Sequence, residues 1–387
     1  MKWTMIFSLL GSACSPAILG SGGSNTNTDP DIEPQVETVP AADDQSSLLF
    51  DDAEILQFSI DLSDESFDAL ADDPYTYVEG SFTFDGLTWE QVGVRIKGEN
   101  SFLPIDEKPS LKIKFDKFVD GRPFHGLTEL TLNNMSSDYT MMHERIAYRM
   151  YREFSVPAAR SNHVALTLNG EQYGLYANVE TVDKDMIARW FEDDDGSLFE
   201  VWDVDFYDAY IPHFELEYGE DNRTNLQGVA DSLESAGANA LQDVEEHLSM
   251  EGFLRYWAVG MYVAQFDAYP YNDPGDDCHV YDDPTTGSLH FIPHGTDETF
   301  YYPDWEVDWA YGIIASRCLQ VDGCEKQLIT LVEDVVQVAN DIDILHYFDE
   351  VSAQIEESVR NDSHKPYPNN YVWQYQASMR QMLVDRE

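Results

Sequence analysis

Two lysines on one strand, an acid on a nearby helix and two distant aspartates are the residues of this chain whose types and settings suit chemistry. Leu111, Ile113 and Phe115 alternate with Lys112, Lys114 and Asp116. Such alternation turns the apolar set to a core and both lysines to the opposite face. A lysine held on a strand can pair nucleotide phosphates when an acid from a neighbouring helix orients it. Glu144 supplies that acid, and Arg145 beside it is an alternative phosphate contact. Further on, Asp267 closes the apolar stretch 256–266 and heads an irregular loop, and Asp297 follows a short hairpin. One such acid can orient an acceptor hydroxyl while the other holds Mg²⁺ against phosphates, the layout of a catalytic loop followed by a metal-binding aspartate. The chemistry would be phosphoryl transfer. The competing reading of the same residues is a set of structural ion pairs.

Other chemistries lack their residues. The chain has no GxSxG elbow, no GxxxxGK[ST] loop and no GxGxxG after a strand. His143-Glu144 opens like a zincin helix, but Ala147 stands where the second histidine must be. Asp193-Asp194-Asp195-Gly196 and the run Asp203, Asp205, Asp208 resemble calcium loops without EF-hand spacing, and read as solvated acidic segments. No cysteine pair has the CxxC spacing of a zinc site.

The elements that must position these residues fall into two kinds. Residues 77–84 and 87–96 form a hairpin around Asp85-Gly86, and 164–168 turns at Asn169-Gly170 into 173–179. Asp138 is placed to cap a helix over 139–154, ended before Pro157. In the second half, 251–265, 325–338 and 344–359 carry apolar residues at helical spacing, with a hairpin over 279–281 and 289–292. A strand-rich half followed by a helical one predicts a two-lobed α+β fold.

With 43% hydrophobic and 13% aromatic residues in 387, the chain can bury a large core. Against 22 Lys+Arg stand 73 Asp+Glu, a net charge of -51, which makes nucleic acid and anionic lipid poor partners. The carboxylates are spread along the whole chain, so the charge fits general adaptation to salt as well as a functional acidic surface. Met1-Lys2, an apolar run over 3–10 and small residues before Cys14 have the layout of an export signal over 1–20. Cys14 is placed for a lipid anchor; cleavage at Ala13 or Gly20 with full secretion is the alternative. The run is too short to span a bilayer. Residues 21–47 read as a flexible acidic linker and 48–387 as one folded unit. In an oxidising compartment Cys318 and Cys324 can close a small loop, leaving Cys278 odd. Sequons at Asn134, Asn222 and Asn361 matter only in a eukaryotic host.

Several segments together resemble the CotH kinase family, spore-coat and surface proteins with an atypical kinase fold. They include Val94-Arg95-Ile96-Lys97-Gly98-Glu99-Asn100-Ser101, Lys108-Pro109-Ser110-Leu111-Lys112-Ile113-Lys114-Phe115 and Phe124-His125-Gly126-Leu127. Leu132-Asn133-Asn134, Met142-His143-Glu144-Arg145-Ile146-Ala147-Tyr148, Asn169-Gly170-Glu171-Gln172-Tyr173-Gly174-Leu175-Tyr176 and Pro293-His294-Gly295-Thr296-Asp297 follow in order. The resemblance implies a bilobed atypical protein-kinase-like fold and ATP- and Mg²⁺-dependent phosphorylation of Ser or Thr on secreted or surface proteins. Carried over, Lys112 or Lys114 holds phosphates with Arg145 and Lys97 as further nucleotide contacts, Glu144 orients the lysine, and Asp267 is the catalytic-loop acid. Asp297 binds metal, with Asp277 and Asn272 as further metal ligands. Where the family has Asn-Asn-Tyr, this chain has Asp276-Asp277-Cys278, and His294 replaces a tryptophan. An inactive pseudokinase serving as a surface binding protein is therefore the second expectation, and a calcium-dependent surface module the third.

Overall fold

Alternating apolar residues fold the first half into a barrel. The computed structural model describes residues 45–98, 100–234, 240–302 and 309–386; the export signal, Cys14 and nearly all of the acidic linker lie outside the described residues. The strands are β1 (Leu56–Leu62), β2 (Val78–Phe84), β3 (Leu87–Lys97), β4 (Ser110–Lys114), β5 (Glu129–Asn133), β6 (Ser161–Leu168) and β7 (Glu171–Val179). They close in the order β1-β2-β3-β4-β5-β7-β6, with β1 and β6 parallel at the seam. Closure leaves no unpaired edge. Phe58, Phe82, Phe115 and Phe124 fill the interior, with Phe58 and Phe82 edge to face at 5.0 Å. The β2–β3 hairpin turns where the sequence predicts, Asp85 and Gly86 both having positive φ, as a two-residue turn of this hand requires.

The rest of the chain combines helices with a second sheet. The helices are α1 (Asp64–Asp72), α2 (His143–Glu153), α3 (Lys184–Trp190), α4 (Thr224–Glu234), α5 (Ala240–Val244) and α6 (Met250–Val263). They continue as α7 (Ile313–Cys318), α8 (Asp322–Asp341), α9 (Ile344–Asn361) and α10 (Asn369–Asp385). Strands β8 (Ser197–Val201), β9 (Glu215–Tyr218), β10 (Cys278–Asp283) and β11 (Ser288–Pro293) form a sheet in the order β11-β10-β8-β9. The expected hairpin over 279–292 is thus half of a larger antiparallel sheet, because β8 supplies a partner for β10 from far upstream. Apolar Phe253, Trp257 and Phe291 join α6 to this sheet in a core distinct from that of the barrel. Cys318 and Cys324 are disulfide-bonded and Cys278 is free and buried.

One helix start differs from expectation. Asp138 does not cap a helix at Tyr139; its carboxylate accepts from the N–H groups of Thr140, Met141 and His143 and holds a turn that delays α2 to His143. The side chain outcompetes the first helical turn for those donors. As a result His143 and Glu144 occupy the first turn of α2, where their side chains meet the rest of the site.

Candidate functional site

The outward faces of β3, β4 and β5 make one wall of a cleft of about 910 Å³. Arg95 lies opposite Lys112, and Lys97 opposite Ser110, so these side chains share the face that points away from the barrel core. Lys112 and Lys114 both line the cleft, and Lys112 Nζ stands 2.9 Å from Glu129 Oε1. The lysine brought to Glu144 is Lys97. Its Nζ donates to Asn133 Oδ1 at 3.0 Å, and Asn133 Nδ2 donates to Glu144 Oε1 at 2.6 Å. The expectation that Glu144 orients Lys112 or Lys114 is corrected by register: Lys114 lies opposite Glu129 and Lys112 opposite Thr131, from where Lys112 reaches Glu129 diagonally, whereas Lys97 ends β3 beside the first turn of α2.

In this arrangement Glu144 is buried, and Lys97 and Asn133 are half-buried. Burial pushes Lys97 down, an effect that the charge of Glu144 opposes. Burial pushes Glu144 well above the usual carboxylate range, Asp297 adds to the shift, and Lys97 and the Asn133 hydrogen bond oppose it. Glu144 is 3% exposed, and its Oε2 is buried without a hydrogen-bond partner.

The facing wall is acidic. Ala264, in the left-handed region, ends α6 and lets the chain turn into Gln265, Phe266 and Asp267. Gln265 is fully buried and its Nε2 donates to the carbonyl of His294 at 2.6 Å, while Tyr151 OH donates to its Oε1 at 2.6 Å. One side chain thereby ties the Asp267 loop to the Asp297 segment and to α2. Asp267, Asp277 and Asp297 all line the cleft, with Asp276 and Glu298 beside them. Burial raises Asp277 well above its ordinary value, and Asp267, Asp276, Asp297 and Glu298 add like-charge repulsion. Burial also raises Asp297, with Lys97 opposing. Gly295 has a φ of +59°, and a Cβ there would sit 2.1 Å from Asp277 Oδ1. No other residue type fits between these two segments without displacing that carboxylate. The carbonyl of Asp297 accepts from His143 Nδ1 at 2.7 Å, so adjacent residues of α2 reach Lys97 through Asn133 and the backbone of Asp297 directly.

Two expected contacts lie elsewhere. Arg145 does not line the cleft: it is 3% exposed, donates to Tyr347 OH at 3.0 Å, Gln354 Oε1 at 2.6 Å and the carbonyl of Asp52 at 2.8 Å, and pins α2 to α9. It follows Glu144 on a helix, so its side chain leaves on a different face. Asn272 is also not among the lining residues; its Nδ2 donates to the carbonyl and Oδ1 of Asp267 at 2.7 and 2.6 Å, fixing the acid from behind. Asp205 is a buried structural acid that accepts from Tyr269 OH, Phe206 N and Ile313 N. Asp193, Asp194 and Asp195 cluster at the surface, where Lys184 Nζ lies 2.6 Å from Asp195 and 3.6 Å from Asp194.

Sequence reasoning missed Asn133, Gln265 and His143 as parts of this site. Asn133 was accessible in principle, since alternation along β5 puts it on the face of Thr131, which is opposite Lys112. Gln265 and His143 carry no local signal, because their partners come from distant segments. Two further histidines line the cleft. His279 is lowered to about 3 by burial and by Lys112, and His294 well below its usual value by burial, His279 and Lys97.

Comparison with known proteins agrees with this architecture in family. The chain is 22% identical over 197 residues to the inner spore coat protein H of Bacillus subtilis, covering 47% of this chain and 53% of that protein. It is 32% identical over 74 residues to an inner spore coat protein H-like protein of the same organism, covering 19% of this chain and 22% of that protein. The chain thus spans about half the length of the first of these curated relatives and less of the second. Among solved structures it is similar to a chain of the Shewanella oneidensis toxin–antitoxin complex of HipA, HipB and operator DNA, at 13% identity and a TM-score of 0.34. That match covers 86% of this chain and 72% of the other. No helix among the described residues is long and apolar enough to cross a membrane. Residues 94–383 match the family model described as CotH kinase protein, a span that holds Lys97, Glu144, Asp267 and Asp297, and the chain belongs to that family.

Proposed function

We propose that the chain is an exported protein kinase that transfers the γ-phosphate of ATP, with Mg²⁺, to Ser or Thr hydroxyls of secreted or surface proteins. The observation that carries this reading is the convergence of Lys97, Glu144, Asp267, Asp277 and Asp297 on one cleft. Lys97 binds phosphate oxygens, held by Asn133 and Glu144. Asp267, steadied by Asn272, takes the proton of the acceptor hydroxyl as its oxygen bonds the γ-phosphorus and the bond to the β–γ bridging oxygen breaks, releasing ADP. The residues present fit a divalent cation: burial and then four neighbouring acids raise Asp277, a repulsion that a cation relieves, and Gly295 leaves room for its carboxylate. Asp297 and Asp277 would hold Mg²⁺, which when bound neutralises charge on the transferring phosphates. The Cys318–Cys324 disulfide supports an oxidising compartment and so export.

The test is Mg²⁺-dependent incorporation of labelled phosphate from ATP into the chain itself or an added Ser/Thr protein. Asp297→Ala is expected to lower it at least about 10²–10³-fold, with the fold retained by thermal melting. Full activity in that folded variant would sink the assignment. Asp277, an added negative charge where the family has asparagine, favours a second reading as a pseudokinase that binds a partner at the surface. Nucleotide binding without phosphate transfer would support that alternative.

A further inference from the structure

The turn between α9 and α10 is fastened to the barrel by a buried ion pair. Lys108 Nζ donates to Asp362 Oδ2 at 2.6 Å, and both side chains are fully buried. The same Oδ2 accepts from Leu175 N at 3.1 Å, and Oδ1 accepts from His364 N and Lys365 N at 2.9 Å each. Asp362 thus closes its own turn and holds β7 and Lys108 to it. Gly174 on β7 has a φ of +101°, and a Cβ there would lie 2.2 Å from Asp362 Cγ, so glycine is what lets the carboxylate approach. Around the pair, Tyr173 stacks on His364 at 4.8 Å and its OH donates to the carbonyl of Ile105 at 2.8 Å, while Tyr367 OH donates to the carbonyl of Ser136.

Neither Lys108 nor Asp362 lines the cleft, and the pair reaches it through Asn134. Both amide hydrogens of Asn134 are used: Nδ2 donates to the carbonyl of Lys108 at 2.9 Å and to that of Ser101 at 3.0 Å. Its backbone N–H donates to Ser110 Oγ at 3.0 Å. Ser101, Ser110 and Asn134 all line the cleft. Asn134 directly follows Asn133, the residue that joins Lys97 to Glu144. Hydrogen bonds and one peptide link therefore run without a gap from the α9–α10 turn through Lys108 and Asn134 to the residues that hold Lys97. A buried ion pair adds little net stability over well-packed apolar side chains of the same volume, so a role in fixing one geometry fits it better than a role in stability. We propose that Lys108 and Asp362 are positioning residues for nucleotide binding, through which the α9–α10 turn sets the end of β5, and with it Lys97, from outside the cleft. The assignment rests on the nucleotide reading above and adds to it a control that touches neither nucleotide nor metal.

The test separates position from stability with a double variant of the whole chain. Lys108→Met alone leaves Asp362 buried without its cation and is expected to melt well below the wild type. Lys108→Met/Asp362→Asn removes both charges, keeps an oxygen for His364 and Lys365, and is expected to recover part of that fall. In the folded double variant KM for ATP should rise about tenfold while kcat changes by less than about twofold, because the bonded path ends at Lys97 and not at Asp267. A pair that only holds the fold together leaves both constants at their wild-type values once the variant is folded, and that result overturns the inference. Hydrogen exchange gives a readout that needs no nucleotide: the Asn134 amide should exchange at least about tenfold faster in the double variant at a temperature where it is fully folded. Unchanged exchange there also overturns the inference. If the double variant does not fold, Asp362→Asn alone takes its place in both measurements. Failure of the wild type to bind ATP is a distinct result, which removes the nucleotide reading and the inference with it.

Discussion

The two walls of the cleft handle charge in opposite ways. On the barrel wall Lys112 is matched to Glu129 and Lys97 to Asn133 and Glu144, so positive charge is compensated within the structure. On the facing wall Asp277 sits among Asp267, Asp276, Asp297 and Glu298, which push its carboxyl up on top of the effect of burial. Like charges gathered in a half-buried place cost stability unless a cation joins them. On the barrel wall these two lysines already have partners within the chain, whereas the acidic wall gathers carboxylates whose mutual repulsion nothing described on that wall offsets except Lys97 opposite Asp297.

The barrel wall should give the largest difference between two neighbouring lysines. Lys97→Met is expected to lower kcat/KM for ATP by about 10²-fold or more, since it removes the cation proposed to meet the phosphates. Lys112→Met is expected to lower it by only about threefold, because that lysine is committed to Glu129. Steady-state phosphate transfer measures both, and a larger loss from Lys112→Met would break the comparison.

On the acidic wall the readout is stability. Mg²⁺ at about a hundred times its dissociation constant should stabilise the wild type by about 2.7 kcal/mol, seen as a rise in Tm. Asp277→Asn relieves repulsion, so it should melt higher than the wild type without Mg²⁺ and gain less from adding it. The opposite order, a lower metal-free Tm and an undiminished gain, would mean that Asp277 is not a metal carboxylate.

A pH-dependent effect belongs to Glu200. Burial, with Glu217 and Glu215, raises it from 4.5 to about 7. The folded chain keeps a proton that the unfolded chain releases near 4.5, so this group's stabilisation is fully present below that pH and is lost as pH rises through about 7. Its size is about 3 kcal/mol at most. Melting curves between pH 4 and 8 should show a shallower decline for Glu200→Gln than for the wild type.

Much of the framework was legible in local pattern. Asp85-Gly86 announced the β2–β3 hairpin, alternation around Lys112 announced β4, and helical spacing announced α6, α8 and α9 within a few residues of their ends. Other elements were not legible. The start of α2 depends on Asp138 competing for backbone donors, and β8 becomes part of a sheet only by meeting β10. Among site residues, Asp267, Asp277, Asp297 and Glu144 meet in one cleft, whereas Arg145 turns away to Tyr347 and Asn272 stands behind Asp267.

By itself the sequence determined the family, the two kinds of element and the set of acids from which a site can be built, because periodicity and motif spacing are local properties of the chain. Only the tertiary structure decided which lysine serves Glu144. Lys97, Lys112 and Lys114 are all outward residues of adjacent strands, and nothing along the chain ranks them. Strand register, which places Lys112 across from Thr131 and near Glu129, and the delayed start of α2, which brings Glu144 to Asn133, together select Lys97.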